Sequence, residues 1–248
     1  MPSQSPQPKH KTSSLKLIMP LENVALDRQS SLEQAIQFHM DGALDKAEQL
    51  YMRLLGQDDN DEEVLYLVGV LACDLGIFDT ACRFLQKAVD LSPSFVDATQ
   101  QLAIALNGCG KPHEALVYYR RALKAEPDNH LALNQCASIL IGLDRSEEAK
   151  DYIQQALEAA PENAESLMHL GRIALLKKRS KIWPVPDLSN AVTSFKSALS
   201  IDESYVSAKI NLANSLRILG QHEAACETLQ SVLATHPEST EALNNLAT

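Results

Sequence analysis

The 248-residue chain is poor in aromatics, at 5%, with a single Trp, and it has only 9 Gly and 11 Pro. Such a profile disfavours a sandwich or barrel, which needs aromatic-rich strands and many tight turns. No stretch approaches the roughly 18 apolar residues of a membrane span. The segment Leu15–Pro20 is apolar but short, and Lys16 and Pro20 interrupt it. It falls below the about 7–15 uninterrupted apolar residues of a secretory leader. A cytoplasmic location is the expectation. Positive charge is also in deficit, with 22 Lys+Arg against 32 Asp+Glu and a net charge of −10. That excludes the basic surface of a general nucleic-acid binder. What is present is 45% apolar residues, enough to exclude a wholly disordered chain.

Metal and catalytic signatures are missing too. The five cysteines, at 73, 82, 109, 136 and 226, are odd in number and show no C-x2-C pair. Cys73, Cys82, Cys136 and Cys226 fall in helical patterns and read as small apolar residues. Cys109, in the turn Asn107-Gly-Cys-Gly110, is expected to be the most exposed thiol. His113-Glu114 and His222-Glu223 each lack the second His of a zinc-protease helix. There is no P-loop, no G-x-G-x-x-G and no G-x-S-x-G. No cofactor and no metal are expected, and the chain itself reads as non-enzymatic.

The positive signal is an internal repeat. A small residue recurs at Ala47, Ala81, Ala115, Ala149, Ala191 and Ala225, at steps of 34, 34, 34, 42 and 34. Leu54, Ala88, Ala122, Ala156, Ala198 and Val232 follow the same steps. Gly42, Gly76, Gly110 and Gly220 form a third series, with Asp144 and Pro186 in the two remaining places. Pro93, Pro127, Pro161 and Pro237 close four units, and Asp59 and Glu203 stand at the other two. Each position has a physical use. A 34-residue unit holds two helices of about 12–14 residues and two turns. Small residues let the two helices approach. Gly supplies a left-handed cap after the first helix, and Pro stops the second.

The spacing resembles the tetratricopeptide repeat (TPR) pattern, W-x2-L-G-x2-Y…A-x3-F…A…P. Asp61–Ser94 matches through Gly69, Gly76, Ala81, Ala88 and Pro93. Trp is absent from its pattern position in every unit. The resemblance implies an all-α, right-handed superhelical solenoid of antiparallel helix pairs. Residues 1–28 read as a basic tail rich in Pro and Ser. Residues 29–248 read as six full repeats, with an eight-residue insertion in the fifth near 177–186, and the first helix of a seventh.

TPR proteins, by the same resemblance, hold peptides or partner proteins on a groove lined by their first helices. The positions flanking each Leu-Ala or Leu-Gly pair give two series. Before the pair stand Glu33, Leu67, Gln101, Gln135, His169, Asn211 and Asn245. After it stand Ile36, Val70, Ile104, Ser138, Arg172, Asn214 and Thr248. The early part is largely apolar and the later part polar. The partner-binding set is Gln101, Gln135, Ser138, His169, Arg172, Asn211, Asn214 and Asn245. A carboxamide both donates and accepts, so an amide ladder can pair with an extended peptide backbone. The alternative is a merely solvated helix face. Asn211-Leu-Ala-Asn214 and Leu243-Asn-Asn-Leu-Ala247 resemble the superhelical TPR region of O-linked N-acetylglucosamine transferases. A carboxylate clamp for partner C-termini is disfavoured, because Leu32, Tyr66, Gln100, Asn134, Met168 and Ile210 include no Lys or Arg.

The insertion holds Lys177, Lys178, Arg179, Lys181 and Trp183. It reads either as a docking loop for an acidic partner, lipid headgroups or nucleic acid, or as a lengthened helix turn whose Trp folds back on the array. The seventh unit breaks off in its first helix, which points to a fragment of a longer protein or to self-association through that end. Two functions follow. One is a protein–protein interaction scaffold. The other is the substrate-binding arm of a larger enzyme, a glycosyltransferase by the resemblance.

Overall fold

A computed structural model describes residues 27–176 and 188–247. Among the described residues there are thirteen helices and no strand, an all-α solenoid of helix pairs. The chain divides into two compact units, Met1–Ala115 and Leu116–Thr248.

The first unit holds α1 (Arg28–Met40), α2 (Leu44–Leu55), α3 (Glu62–Asp74), α4 (Phe78–Leu91) and α5 (Val96–Gly108), and the start of α6 (Pro112–Ala125). Each of α1 to α4 packs on its successor, and α3 also meets α5. Ala47, Tyr51, Leu65, Ala81, Leu85, Ala88 and Leu102 are almost wholly buried there. Each fully buried Leu contributes about 1.5–3 kcal/mol.

The second unit takes the remainder of α6, then α7 (His130–Gly142), α8 (Ser146–Ala159), α9 (Ala164–Leu176), α10 (Leu188–Ile201), α11 (Val206–Ile218), α12 (His222–Thr235) and α13 (Thr240–Leu246). Here too consecutive helices from α7 onward pack together, and α7, α9, α11 and α13 follow one another side by side. Phe195, Leu133, Leu140 and Ile153 are fully buried.

Two kinds of connection separate the helices, and each has its own chemistry. Second helices start after a Schellman turn. After α1, Gly42 N–H donates to the His39 carbonyl and Ala43 N–H to the Phe38 carbonyl. The same pair of bonds recurs after α3, α5, α7 and α11. The residue at the turn has φ of +71 to +78° in the four glycine cases. Asp144 fills that place after α7 with φ +60°. The departure from glycine therefore leaves the turn intact. First helices α1, α3, α7, α9 and α13 instead start from side-chain caps, whereas α5 and α11 follow Phe95 and Tyr205, which make no side-chain cap bond. Asp27, Asp61, Asn129 and Ser239 accept from the backbone three residues on. Asn163 does the same for Ser166 N–H at 2.8 Å. The four prolines each stand two residues past the last helical residue, at Leu91, Ala125, Ala159 and Thr235, where a missing N–H costs little.

Close approach explains two of the small residues. A Cβ on Gly69 would lie 2.4 Å from Leu85 Cγ, and one on Gly171 would lie 2.5 Å from Phe195 Cε1. In both cases the second helix seats a large side chain directly on the first.

Candidate functional site: the first-helix face

In the second unit the polar positions fall on α7, α9, α11 and α13. Gln135 and Ser138 of α7, Asn211 and Asn214 of α11, and Asn245 of α13 are all half-buried. Asn211 turns its amide back, donating to the Ser207 carbonyl of its own helix at 2.8 Å. In the first unit Gln101 of α5 is half-buried, with Ile104 beside it 40% exposed. Of the earlier positions, Ile36, Leu67 and Val70 are half-buried and Glu33 is exposed. Lys177, Lys178, Arg179, Lys181 and Trp183 lie outside the described residues, as do the tail up to residue 26 and Thr248.

His169 differs from the rest of its series. It is 2% exposed, so its ring is part of the packing beneath the face. Arg172 Nη1 lies 3.3 Å from His169 Nδ1. A guanidinium can only donate, which assigns the ring hydrogen to Nε2. That nitrogen stands 3.6 Å from Glu165 Oε1 and has no hydrogen-bond partner. The bulk of α9 and its neighbours closes over the ring, and the adjacent Arg172 takes the half-exposed place. Burial pushes the Arg172 pKa down, and no carboxylate among the described residues bonds to it.

Sequence reading missed a buried amide cluster that fixes α7 against the start of α9. Asn134 is 0% exposed, and its amide nitrogen donates to Asn163 Oδ1 at 3.0 Å and to Glu165 Oε2 at 3.4 Å. Ser166 Oγ, also fully buried, lies 2.7 Å from Asn134 Oδ1. Every polar atom involved finds a partner, as burial requires. The available signal was an Asn two places after an apolar helix residue, followed 29 and 32 residues later by Asn and Ser. Tyr205, at the start of α11, completes the surroundings. Its phenol is raised chiefly by burial, then by the Glu165 carboxylate.

In the first unit the corresponding face carries aromatics and carboxylates. Tyr66 and Phe95 stack obliquely with centroids 5.0 Å apart. His39 Nε2 meets Asp74 at 2.9 Å. The thiols depart from expectation. Cys226 is the exposed one, whereas Cys109 is half-buried, with its sulfur 3.7 Å from that of Cys82 on α4.

Models of the tetratricopeptide repeat match residues 108–173 and 208–239. The chain carries tetratricopeptide repeats. Solved TPR-type structures share the fold over most of the chain. PilW, a type IV pilus biogenesis factor, superposes with a TM-score of 0.75 at 18% identity, covering 88% of this chain and 98% of PilW. The APC/C hetero-tetramer Cut9-Hcn1 gives 0.72 at 19% identity, covering 86% of this chain and 41% of that one. YrrB, a TPR protein with an unusual peptide-binding site, gives 0.55 at 19% identity, with 78% and 96% coverage. At such identities the likeness is one of fold. Among curated proteins, the O-mannosyl-transferase Tmtc3 of Drosophila melanogaster is 30% identical over 77 residues. That match spans 31% of this chain and 8% of Tmtc3. Among the described residues no helix is long and apolar enough to cross a membrane, and no group of three or more His, Cys, Asp or Glu could hold a metal ion.

Proposed function

We propose that this TPR chain is a non-catalytic interaction scaffold, acting in the cytoplasm, whose first-helix face in the second unit holds an extended segment of a partner protein. The observation that carries this reading is the row of half-buried Gln135, Ser138, Arg172, Asn214 and Asn245 on successive first helices. Side chains in that state are partly desolvated and yet reachable, so a partner's backbone amides can exchange water for carboxamides at little cost. YrrB, a TPR protein of similar fold with an unusual peptide-binding site, supports a peptide-holding role. His169 supports the face from below by holding Arg172 in place.

The test is panning of a random linear dodecapeptide library on the immobilised chain, followed by titration of the enriched peptides. The triple variant Gln135→Ala, Asn214→Ala, Asn245→Ala removes three neutral hydrogen bonds of about 1 kcal/mol each. Its expected effect is on the order of 100-fold weaker binding with unchanged helicity. Equal affinity for the triple variant retires the amide face.

A second reading is favoured by the Tmtc3 match: the repeats present substrates to a glycosyltransferase domain of the same polypeptide. It requires a catalytic domain encoded in the same reading frame, and a stop codon directly after codon 248 removes it.

A further inference from the structure

Three of the five cysteines meet in the first unit, away from the face described above. Cys82 of α4 and Cys109, the residue that caps α5, place their Sγ atoms 3.7 Å apart. Cys73 of α3 is close enough for Cys109 to influence it. The backbone around Cys109 is tightly held. Its N–H donates to the Ala105 carbonyl at 2.9 Å, and Gly110 and Lys111 complete the Schellman turn. Preceding Gly108 fits only because it has no Cβ, since one would lie 2.5 Å from the Phe78 ring of α4. The turn is thus pressed onto α4, and the two sulfurs face one another across that contact.

We propose that Cys82 and Cys109 form a reversible dithiol–disulfide site whose oxidant is a small disulfide of the glutathione class. The sulfurs need to close by about 1.7 Å to reach a bond of about 2.05 Å. The proposal requires rotation of the two side chains to supply that movement. The chemistry balances as two exchanges. The sulfur of one cysteine loses its proton to solvent and attacks oxidised glutathione, giving a mixed disulfide and releasing one glutathione thiolate. The second cysteine then loses its proton and attacks the protein-bound sulfur, forming Cys82 Sγ–Cys109 Sγ and releasing the second glutathione. Two electrons pass from the protein to glutathione.

The surroundings determine the speed. Asp79 Oδ1 lies 3.6 Å from Cys109 Sγ. Burial, then the hydrogen bonds to Cys82 and Asp79, push the Cys109 thiol up to about 12. Cys82 is raised by burial, with Cys109 and Lys111 acting the other way. Little thiolate exists at neutral pH, so the pair exchanges slowly. It resists single-thiol modification, and removal of the Asp79 carboxylate speeds it. Once closed, the link ties α4 to the end of α5 and joins two points 27 positions apart in the unfolded chain.

The experiment uses the full chain carrying Cys226→Ser, which removes the exposed thiol. The protein is equilibrated with mixtures of oxidised and reduced glutathione, quenched in acid, and read by intact mass and peptide mapping. The expected product is 2 Da lighter, with no glutathione retained and a cross-linked Cys82–Cys109 peptide. Dithiothreitol reverses it, and its Tm exceeds that of the reduced form by several degrees. Cys82→Ser and Cys109→Ser each abolish the 2 Da loss, while Cys73→Ser preserves it. Asp79→Asn closes the link at least threefold faster. Two free thiols after equilibration with oxidised glutathione overturn the proposal. So does a cross-link that maps to Cys73, or a closing rate unaffected by Asp79→Asn.

Discussion

Asp144 holds a backbone state that costs an L-residue about 1 kcal/mol or more relative to glycine. Its φ of +60° reproduces the turn that glycine makes elsewhere in the chain. Asp144→Gly therefore raises stability by about 1 kcal/mol, measured as an increase in Tm, and Gly220→Ala lowers it by a similar amount. Asp61 is the opposite case, a residue in its most favourable place. It caps α3 through Val64 N–H at 3.1 Å and receives Arg28 Nε at 2.6 Å. The Arg28 hydrogen bond is the chief cause that holds its carboxyl below the usual carboxylate range. The folded pKa lies below the unfolded value of about 3.9. Its contribution is therefore complete above that pH and is lost as the pH falls through the folded value. Asp61→Asn keeps a cap but loses the ion pair, so denaturation midpoints of Asp61→Asn and the parent converge as the pH drops from 6 toward 2. Single positions of this kind were legible in sequence as a spacing: Asp144 was marked as the turn residue, but its φ was not. His169 was legible only as a register position, since whether a ring is covered depends on the helices packed around it.

Helix pairs depend on how near the first helix lets the second come. Gly171 and Phe195 show the limit, at 2.5 Å for an added Cβ. Gly171→Ala gains helix propensity but displaces the ring, and the net effect is a loss of about 1–3 kcal/mol. Phe195→Leu in the same chain should recover part of it. Chemical denaturation of the two single variants and the double one supplies the coupling. Periodicity in the sequence revealed these contacts as classes, because small residues at fixed steps have one geometric use. The Asn134–Asn163–Ser166 cluster stayed hidden. Its members occupy ordinary polar-tolerant positions, and only the approach of α7 to α9 turns them into one network. The eight-residue insertion was legible as a change of step.

Over the whole molecule, stability is distributed unevenly. α7 buries eight of its residues, whereas α13 buries Ala242 and leaves Leu243 46% and Leu246 36% exposed. Charge is uneven as well. Residues 27–115 carry six Lys or Arg and fifteen Asp or Glu, a net charge of −9, whereas residues 116–248 carry thirteen and sixteen, a net charge of −3. Repeats stabilised by neighbours open from their weakest members, and like charge within one compact body favours its opening. Amide hydrogen exchange should therefore be fastest in α13 and slowest in α7. Raising salt from about 0.02 to 0.3 M shortens the Debye length several-fold. Exchange in α1–α4 should slow more than exchange in α10–α12. A uniform response along the chain would contradict this distribution.

The five Schellman turns have a consequence for the gene. Each returns the backbone to one conformation before the next helix starts, whatever the side chains on either side. A crossover between two coding repeats in register adds or deletes a block of 34 codons and still yields a turn that closes. Misaligned crossovers leave a cap without its helix and are removed by misfolding. Copy number can therefore vary among descendants of such a gene while the geometry of each joint stays constant, and sequence divergence is free to accumulate between joints.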